Sequence, residues 1–145
     1  MKCIQRQIFL LLLVLVSSGR LSAQDPEPDS VTYISLDPYY FHLKYITDST
    51  SLMIDVREFF EYRPSRIKDA IHIPTSKGFE VAADTLGKDH SLFLYCYNDY
   101  RSRKAAEFFI SKGYTRVYNL EGGIVQWRRD KMPVDRSRAR KGDRR

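Results

Sequence analysis

Cysteine is nearly absent from this chain, with Cys3 and Cys96 the only two in 145 residues. Long apolar runs are missing too. The longest, Ile8 to Val16, has nine residues, well short of the roughly 20 that a membrane helix needs. The three histidines, His42, His72 and His90, are scattered with no pair at metal-ligand spacing, so no metal site is expected. The Gly122-Gly123 pair has no Gly-Lys-Ser/Thr after it, which argues against a phosphate-cradling loop and for a tight turn that lets the last helix pack closely. No internal repeat is visible.

What is present first is a leader. Lys2 and Arg6 precede the apolar run, and Ser17, Ser18, Gly19 and Leu21-Ser22-Ala23 follow it. That is the anatomy of a secretory signal peptide over residues 1–23, with export to the periplasm or beyond and no stable membrane insertion after cleavage. Residues 24–30, with Asp25-Pro26-Glu27-Pro28-Asp29, offer no apolar face and read as a flexible leader. Cys3 departs with the signal, so Cys96 is the single mature thiol and an internal disulfide is excluded. A lone cysteine in an exported protein is either buried filler or a working thiol.

The formal charge of +6 sits at the ends. Lys2, Arg6 and Arg20 lie in or beside the signal, and the last ten residues hold six basic groups against Asp143. Of the 24 basic and 18 acidic residues, 15 and 17 remain from Gln24 to Asp135. A nearly neutral body offers no nucleic-acid-binding face. The tail, residues 135–145, reads as a basic, solvated, disordered extension whose charge suits acidic surfaces. With 43% apolar and 13% aromatic content, residues 31–134 suffice for one domain with a core.

Within that domain, residues 31–35 suit a short strand. Asp37-Pro38 makes an N-cap and first-turn pair for a helix to about Ile46, with Leu36, Tyr40 and Leu43 on one face. Leu52 to Val56, His90 to Tyr95 and Arg116 to Leu120 are runs of strand length, the first continuously apolar as in strands covered on both faces. Ile71 and Ile73 suggest a brief strand and Phe79 to Leu86 a short helix. A helix from about Ser102 to Lys112 pairs Ala105 with Phe109 and Ala106 with Ile110, and Gly113 supplies its left-handed stop. Strands alternating with helices imply βαβ units around a mostly parallel sheet. Functional loops then lie beyond the carboxyl ends of strands, where Cys96 falls.

Cys96 enters a short polar loop that feeds straight into a helix. Amides of a tight turn and the positive end of a helix dipole favour thiolate and bind anionic sulfur or oxygen. If the backbone of Tyr97, Asn98, Asp99, Tyr100, Arg101 and Ser102 curls around the sulfur, no general base is needed. Arg101 adds a fork of donors suited to a sulfonate, thiosulfate or phosphate oxygen. Tyr97 and Tyr100 either flank an entry path or pack as surface aromatics, and Trp127 belongs in the core.

Read in order, Asp55-Val56-Arg57-Glu58, Glu61-Tyr62, Ile67, Ala70-Ile71, Ile73-Pro74, the Cys96 loop with Arg101-Ser102, and Leu120-Glu121-Gly122-Gly123 with Trp127 together resemble a single-domain rhodanese. The resemblance spans nearly all of the mature chain. It implies an α/β fold, a mostly parallel five-stranded sheet flanked by helices on both faces. It also implies a sulfurtransferase that carries sulfane sulfur as a Cys96 persulfide, from a small anionic donor such as thiosulfate or a persulfide to a thiol acceptor, including a protein thiol, or to cyanide. No metal or organic cofactor is called for. Arg57, by the same resemblance, is a structural ion-pairing residue alongside Asp55, with Glu61 a candidate partner at helical spacing. Cysteine-based phosphatases resemble this architecture but place one more residue between cysteine and arginine. Here four intervene, Tyr97 to Tyr100, which suits a ring sized for one sulfur atom.

Two positions depart from the family pattern. Asp99 stands where Gly is common, and Ser65-Arg66 stands for Gly-His. Asp tolerates positive φ, but a carboxylate beside the cradle would repel thiosulfate. These departures motivate the competing reading, a rhodanese-homology module that binds a partner and catalyses nothing.

Overall fold

A computed structural model describes residues 32–137. The signal and leader readings, and the tail beyond residue 137, lie outside the described residues. Within them, five strands alternate with helices: β1 (Ile34–Leu36), α1 (Pro38–Thr47), β2 (Ser51–Asp55), α2 (Phe59–Tyr62), β3 (Ile71–His72), α3 (Ser76–Thr85), β4 (Ser91–Tyr95), α4 (Tyr100–Ser111), β5 (Val117–Leu120) and α5 (Gly123–Arg129). All strand pairs are parallel, in the order β1-β5-β4-β2-β3. The expected strands and long helices are present with ends shifted by one to three residues. The four-residue helix α2, Phe59-Phe60-Glu61-Tyr62, is an addition too short to show a helical period in the sequence.

The alternation of side chains along the strands builds two cores. Ile54 of β2, with Leu92 and Leu94 of β4, packs with Ala82 and Ala83 of α3 and with Ala105, Ala106 and Phe109 of α4. Met53, Phe93 and Tyr95, pointing the other way, join Phe41 of α1 and Ile124 and Trp127 of α5. Helices therefore cover both faces. The central strand β4 is buried along its whole length, as a parallel strand between two helical layers must be. Truncating Leu92 or Leu94 to alanine would cost about 2–5 kcal/mol.

Local signals explain the ends. Asp37 accepts from the Tyr40 amide at 3.0 Å with Pro38 in the first turn of α1, and Thr75 accepts from Gly78 in the same way at α3. Gly113, at φ +87°, ends α4. One face assignment fails. Tyr40 and Leu43 are exposed, and α1 buries Pro38 and Phe41 instead, because the ring of Phe41 meets Phe93 and Trp127 edge-on. Residues 135–137, which the composition assigns to the tail, make specific contacts. Asp135 pairs with Arg66 through both backbone groups and through a 2.8 Å ion pair, and Arg66 also donates to the Ser137 carbonyl and hydroxyl.

Candidate functional site

The carboxyl ends of β2 and β4 lie side by side, with Asp55 opposite Tyr95, and each releases its chain into a polar segment. Beyond β2, Asp55 and Arg57 form a buried ion pair at 2.6 Å. Arg57 also donates to the carbonyls of Glu61, at 3.0 Å, and Ser65, at 2.8 Å. Burial alone would lower the pKa of Arg57, and the Asp55 carboxylate more than offsets this, leaving it raised. His72 reaches the Arg57 carbonyl through Nε2 at 2.7 Å, so that nitrogen carries the hydrogen. Tyr95 accepts from the Ile67 amide. Burial, then the Asp55 charge, drives its hydroxyl well above the ordinary range, so it stays protonated. This network fixes α2 and the 63–67 turn. The partner expected for Arg57 is corrected: the carboxylate it grips belongs to Asp55, and Glu61 offers only its backbone carbonyl.

The Glu61 carboxylate points elsewhere, into a two-pronged pair with Arg101, both bonds 2.9 Å. Its Oε2 also accepts from the Glu58 amide at the start of α2. The Arg101 guanidinium holds Glu61 below the usual carboxylate range. Arg101 itself is pushed up, first by Glu61, against an opposing burial effect, with smaller help from Cys96. The anion clamp read from sequence is thus half-exposed beside the cysteine and already shares its charge with a carboxylate.

Cys96 follows β4 directly and is fully buried. The Ser102 hydroxyl lies 3.5 Å from its sulfur and 3.1 Å from the Asp99 carbonyl, and its one proton serves one of them at a time. None of the six amides from Tyr97 to Ser102 donates to a carbonyl or side chain among the described residues. Such a run of uncommitted amides opening a twelve-residue helix is a ready anion cradle. Asp99 occupies the left-handed region at φ +73°, the conformation that the turn needs.

The fear attached to Asp99 is corrected by its contacts. Its carboxylate accepts from the Gly122 amide at 3.2 Å and faces the Arg103 guanidinium at 3.6 Å, so the charge is turned toward α5 and α4. Tyr97 and Tyr100 are half exposed, at 50% and 56%, with the Lys104 ammonium over the Tyr100 ring, and Asn98 is exposed. The loop therefore brings together Cys96, Arg101 and Ser102, while Asn98 and the two tyrosines lie at its rim.

The close packing read from the glycine pair has a specific target. Gly123 is buried at φ +60°, and a Cβ there would sit 2.5 Å from the Tyr97 carbonyl oxygen. The next two amides, Ile124 and Val125, donate to the carbonyls of Cys96 and Tyr97 at 2.9 and 3.2 Å. The glycine pair thus lets α5 press against the back of the cysteine loop and hold it. The departure Ser65-Arg66 is also employed, since Ser65 Oγ accepts from Arg128 at 2.6 Å and Arg66 anchors residues 135–137. Among the described residues no cluster of His, Cys, Asp or Glu could hold a metal ion.

The model of the rhodanese-like domain matches residues 42–130. A thiosulfate sulfurtransferase, GlpE, of Actinobacillus pleuropneumoniae is 26% identical over 106 residues, covering 73% of this chain and 96% of that protein. A tRNA uridine(34) hydroxylase of Hamiltonella defensa is 34% identical over 95 residues, 62% of this chain but only 27% of that larger protein. Among solved structures, a rhodanese-like domain from Anabaena superposes with a TM-score of 0.62 at 22% identity, covering 70% of this chain and 77% of that one. With its five parallel strands, its cysteine at the end of β4 and a family match over most of the described residues, the chain belongs to the rhodanese-like domain family.

Proposed function

We propose that this protein is a sulfurtransferase that carries sulfane sulfur on Cys96. The observation that supports the reading is the juxtaposition of the Cys96 sulfur, the Ser102 hydroxyl and six uncommitted amides at a helix start. A thiolate needs that surround, and so does the anionic persulfide formed from it. In the first half-reaction the Cys96 thiolate attacks the outer sulfur of the donor. The donor's S–S bond breaks and its electron pair leaves with sulfite, from thiosulfate, or with a thiolate, from a persulfide. In the second, an acceptor thiolate or cyanide takes the outer sulfur and the electron pair returns to Cys96.

The donor class follows from Arg101. A guanidinium already forked onto Glu61 has less positive charge to offer a doubly charged inorganic anion, so persulfide donors are expected to outrun thiosulfate. The competing reading, a partner-binding module without catalysis, drew on Asp99 and Ser65-Arg66, and both have structural employment here. Export is inferred from residues 1–23 alone, and the N-terminal residue of the exported protein tests it. For catalysis, the purified protein is incubated with a persulfide donor or thiosulfate and then with cyanide. Cys96 is expected to gain one sulfur atom by mass and to release it as thiocyanate. A protein whose Cys96 gains no sulfur from either donor refutes the proposal.

A further inference from the structure

Resting on the sulfur-transfer reading, a second inference concerns the surface beside the Cys96 loop. Two hollows open along α2 and α5. One, of about 450 Å³, is lined by Phe60, Arg63, Pro64 and Arg136. The other, of about 470 Å³, runs from Arg128 and Lys131 past Met132 to Arg136. Arg136 belongs to both, so they form one continuous strip. It adjoins the loop at two points: Glu61, next to Phe60, grips Arg101, and Arg128 lies within electrostatic reach of Tyr97.

The strip has cations without counterions. Arg63, Arg128, Lys131 and Arg136 have no carboxylate partner among the described residues. Two acids of the same segments are paired, Glu61 with Arg101 and Asp135 with Arg66, while Asp130 accepts from the neutral Gln126 amide. Burial, then the neighbouring charges of Arg57 and Arg136, lowers the pKa of Arg128, as expected where guanidiniums crowd. The Arg66–Asp135 bridge holds the chain next to Arg136. Between these charges lie apolar footholds, with Phe60 75% exposed. A flat lipid surface has no use for two hollows, whereas side chains of a polypeptide fill them.

We propose that this strip docks an acidic segment of a protein thiol that receives sulfur from Cys96. In that step the partner's thiolate takes the outer sulfur of the persulfide. The S–S bond to Cys96 breaks with its electron pair on Cys96 Sγ, and the partner leaves as the persulfide anion.

The test uses the full chain loaded with persulfide and two synthetic peptides of equal length. Each carries one cysteine, flanked by Asp and Glu in one and by Asn and Gln in the other. At low salt the acidic peptide is expected to discharge the persulfide about tenfold faster in kcat/KM. The variant R63Q/K131Q/R136Q, or high salt, should narrow the preference to about twofold or less, while discharge by dithiothreitol is unchanged. Calorimetric binding of the acidic peptide with serine in place of cysteine should also be lost in the variant. That readout needs no chemistry at Cys96, so failed docking and failed sulfur transfer are told apart. Equal rates for the two peptides, or a preference that survives the triple substitution, overturn the proposal. So does binding to phosphatidylglycerol vesicles with no peptide preference, which would assign the strip to a membrane.

Discussion

The ends of β2 and β4 are neighbours in one sheet and opposites in their polar chemistry. At β2, Arg57 is buried and places four of its five N–H donors on Asp55, Glu61 and Ser65. At β4, six consecutive amides have no acceptor among the described residues. A satisfied network holds backbone in place, and an unsatisfied one binds what arrives. The two are joined by Glu61, whose carbonyl serves Arg57 and whose carboxylate serves Arg101.

Breaking the satisfied end should cost the most. Asp55→Ala leaves Arg57 buried with no counterion, and the expected loss is about 3–5 kcal/mol, a large share of the 5–15 kcal/mol that holds an ordinary domain together. Urea unfolding measures it. The double variant D55L/R57M removes both charges and should recover most of that loss. If it is no more stable than D55A, the pair contributes geometry that apolar packing cannot replace.

Gly123 tests the other end through its backing. In Gly123→Ala the new methyl meets the Tyr97 carbonyl while the backbone stays left-handed. Stability should fall by about 1–3 kcal/mol, and sulfur transfer should fall further, by about 10- to 100-fold, because the loop that it displaces holds the reacting sulfur. Gly113→Ala is the control. It has similar strain at φ +87° but open space around it, so stability should drop by about 1 kcal/mol with activity per folded molecule unchanged.

At the joint, Glu61→Gln keeps an acceptor for the Glu58 amide and releases Arg101 from a charge. Stability should change by less than about 1 kcal/mol, as for most half-exposed pairs. The thiosulfate rate should rise by about three- to tenfold relative to the persulfide rate. Because the folded-state pKa of Glu61 is lowered, the pair's contribution is present above the ordinary carboxylate range and is lost as pH falls through the lowered value. In the wild type the thiosulfate-to-persulfide ratio should therefore climb only on acidification below the ordinary carboxylate range, and in the variant it should be flat. A ratio that ignores both pH and substitution would remove Arg101 from donor selection.

Sequence and structure agree wherever a signal is local. Asp37-Pro38, Gly113 and the apolar runs state their roles within a few residues, and the parallel sheet follows from their order. Cys96, Arg101 and Ser102 were legible because one loop holds them all. What escaped reading depends on contacts distant in sequence. Glu61 lies four residues from Arg57, a helical spacing, yet its carboxylate crosses to Arg101, forty residues away. Gly123 reads as a turn that lets a helix pack closely, but what it packs against, the Tyr97 carbonyl, comes from another strand's loop. The anchoring of residues 135–137 depends on Arg66, seventy residues earlier, and a run of basic residues conceals it.

The smallest effect is expected at Asp99, the residue that most threatened the cradle on sequence grounds. A carboxylate one turn from the sulfur should repel dianions, but distance through the chain is a poor guide to where the charge acts. Here it is hydrogen-bonded to the Gly122 amide and faced by Arg103, so its field falls largely on those groups. Asp99→Asn removes the charge, keeps an acceptor for Gly122 and keeps a residue that tolerates positive φ. Thiosulfate turnover should then change by about twofold or less, the effect of an ordinary surface substitution. A tenfold rise would mean that the charge reaches the cradle despite its partners. It would also move the origin of the donor preference from Glu61 to the loop itself.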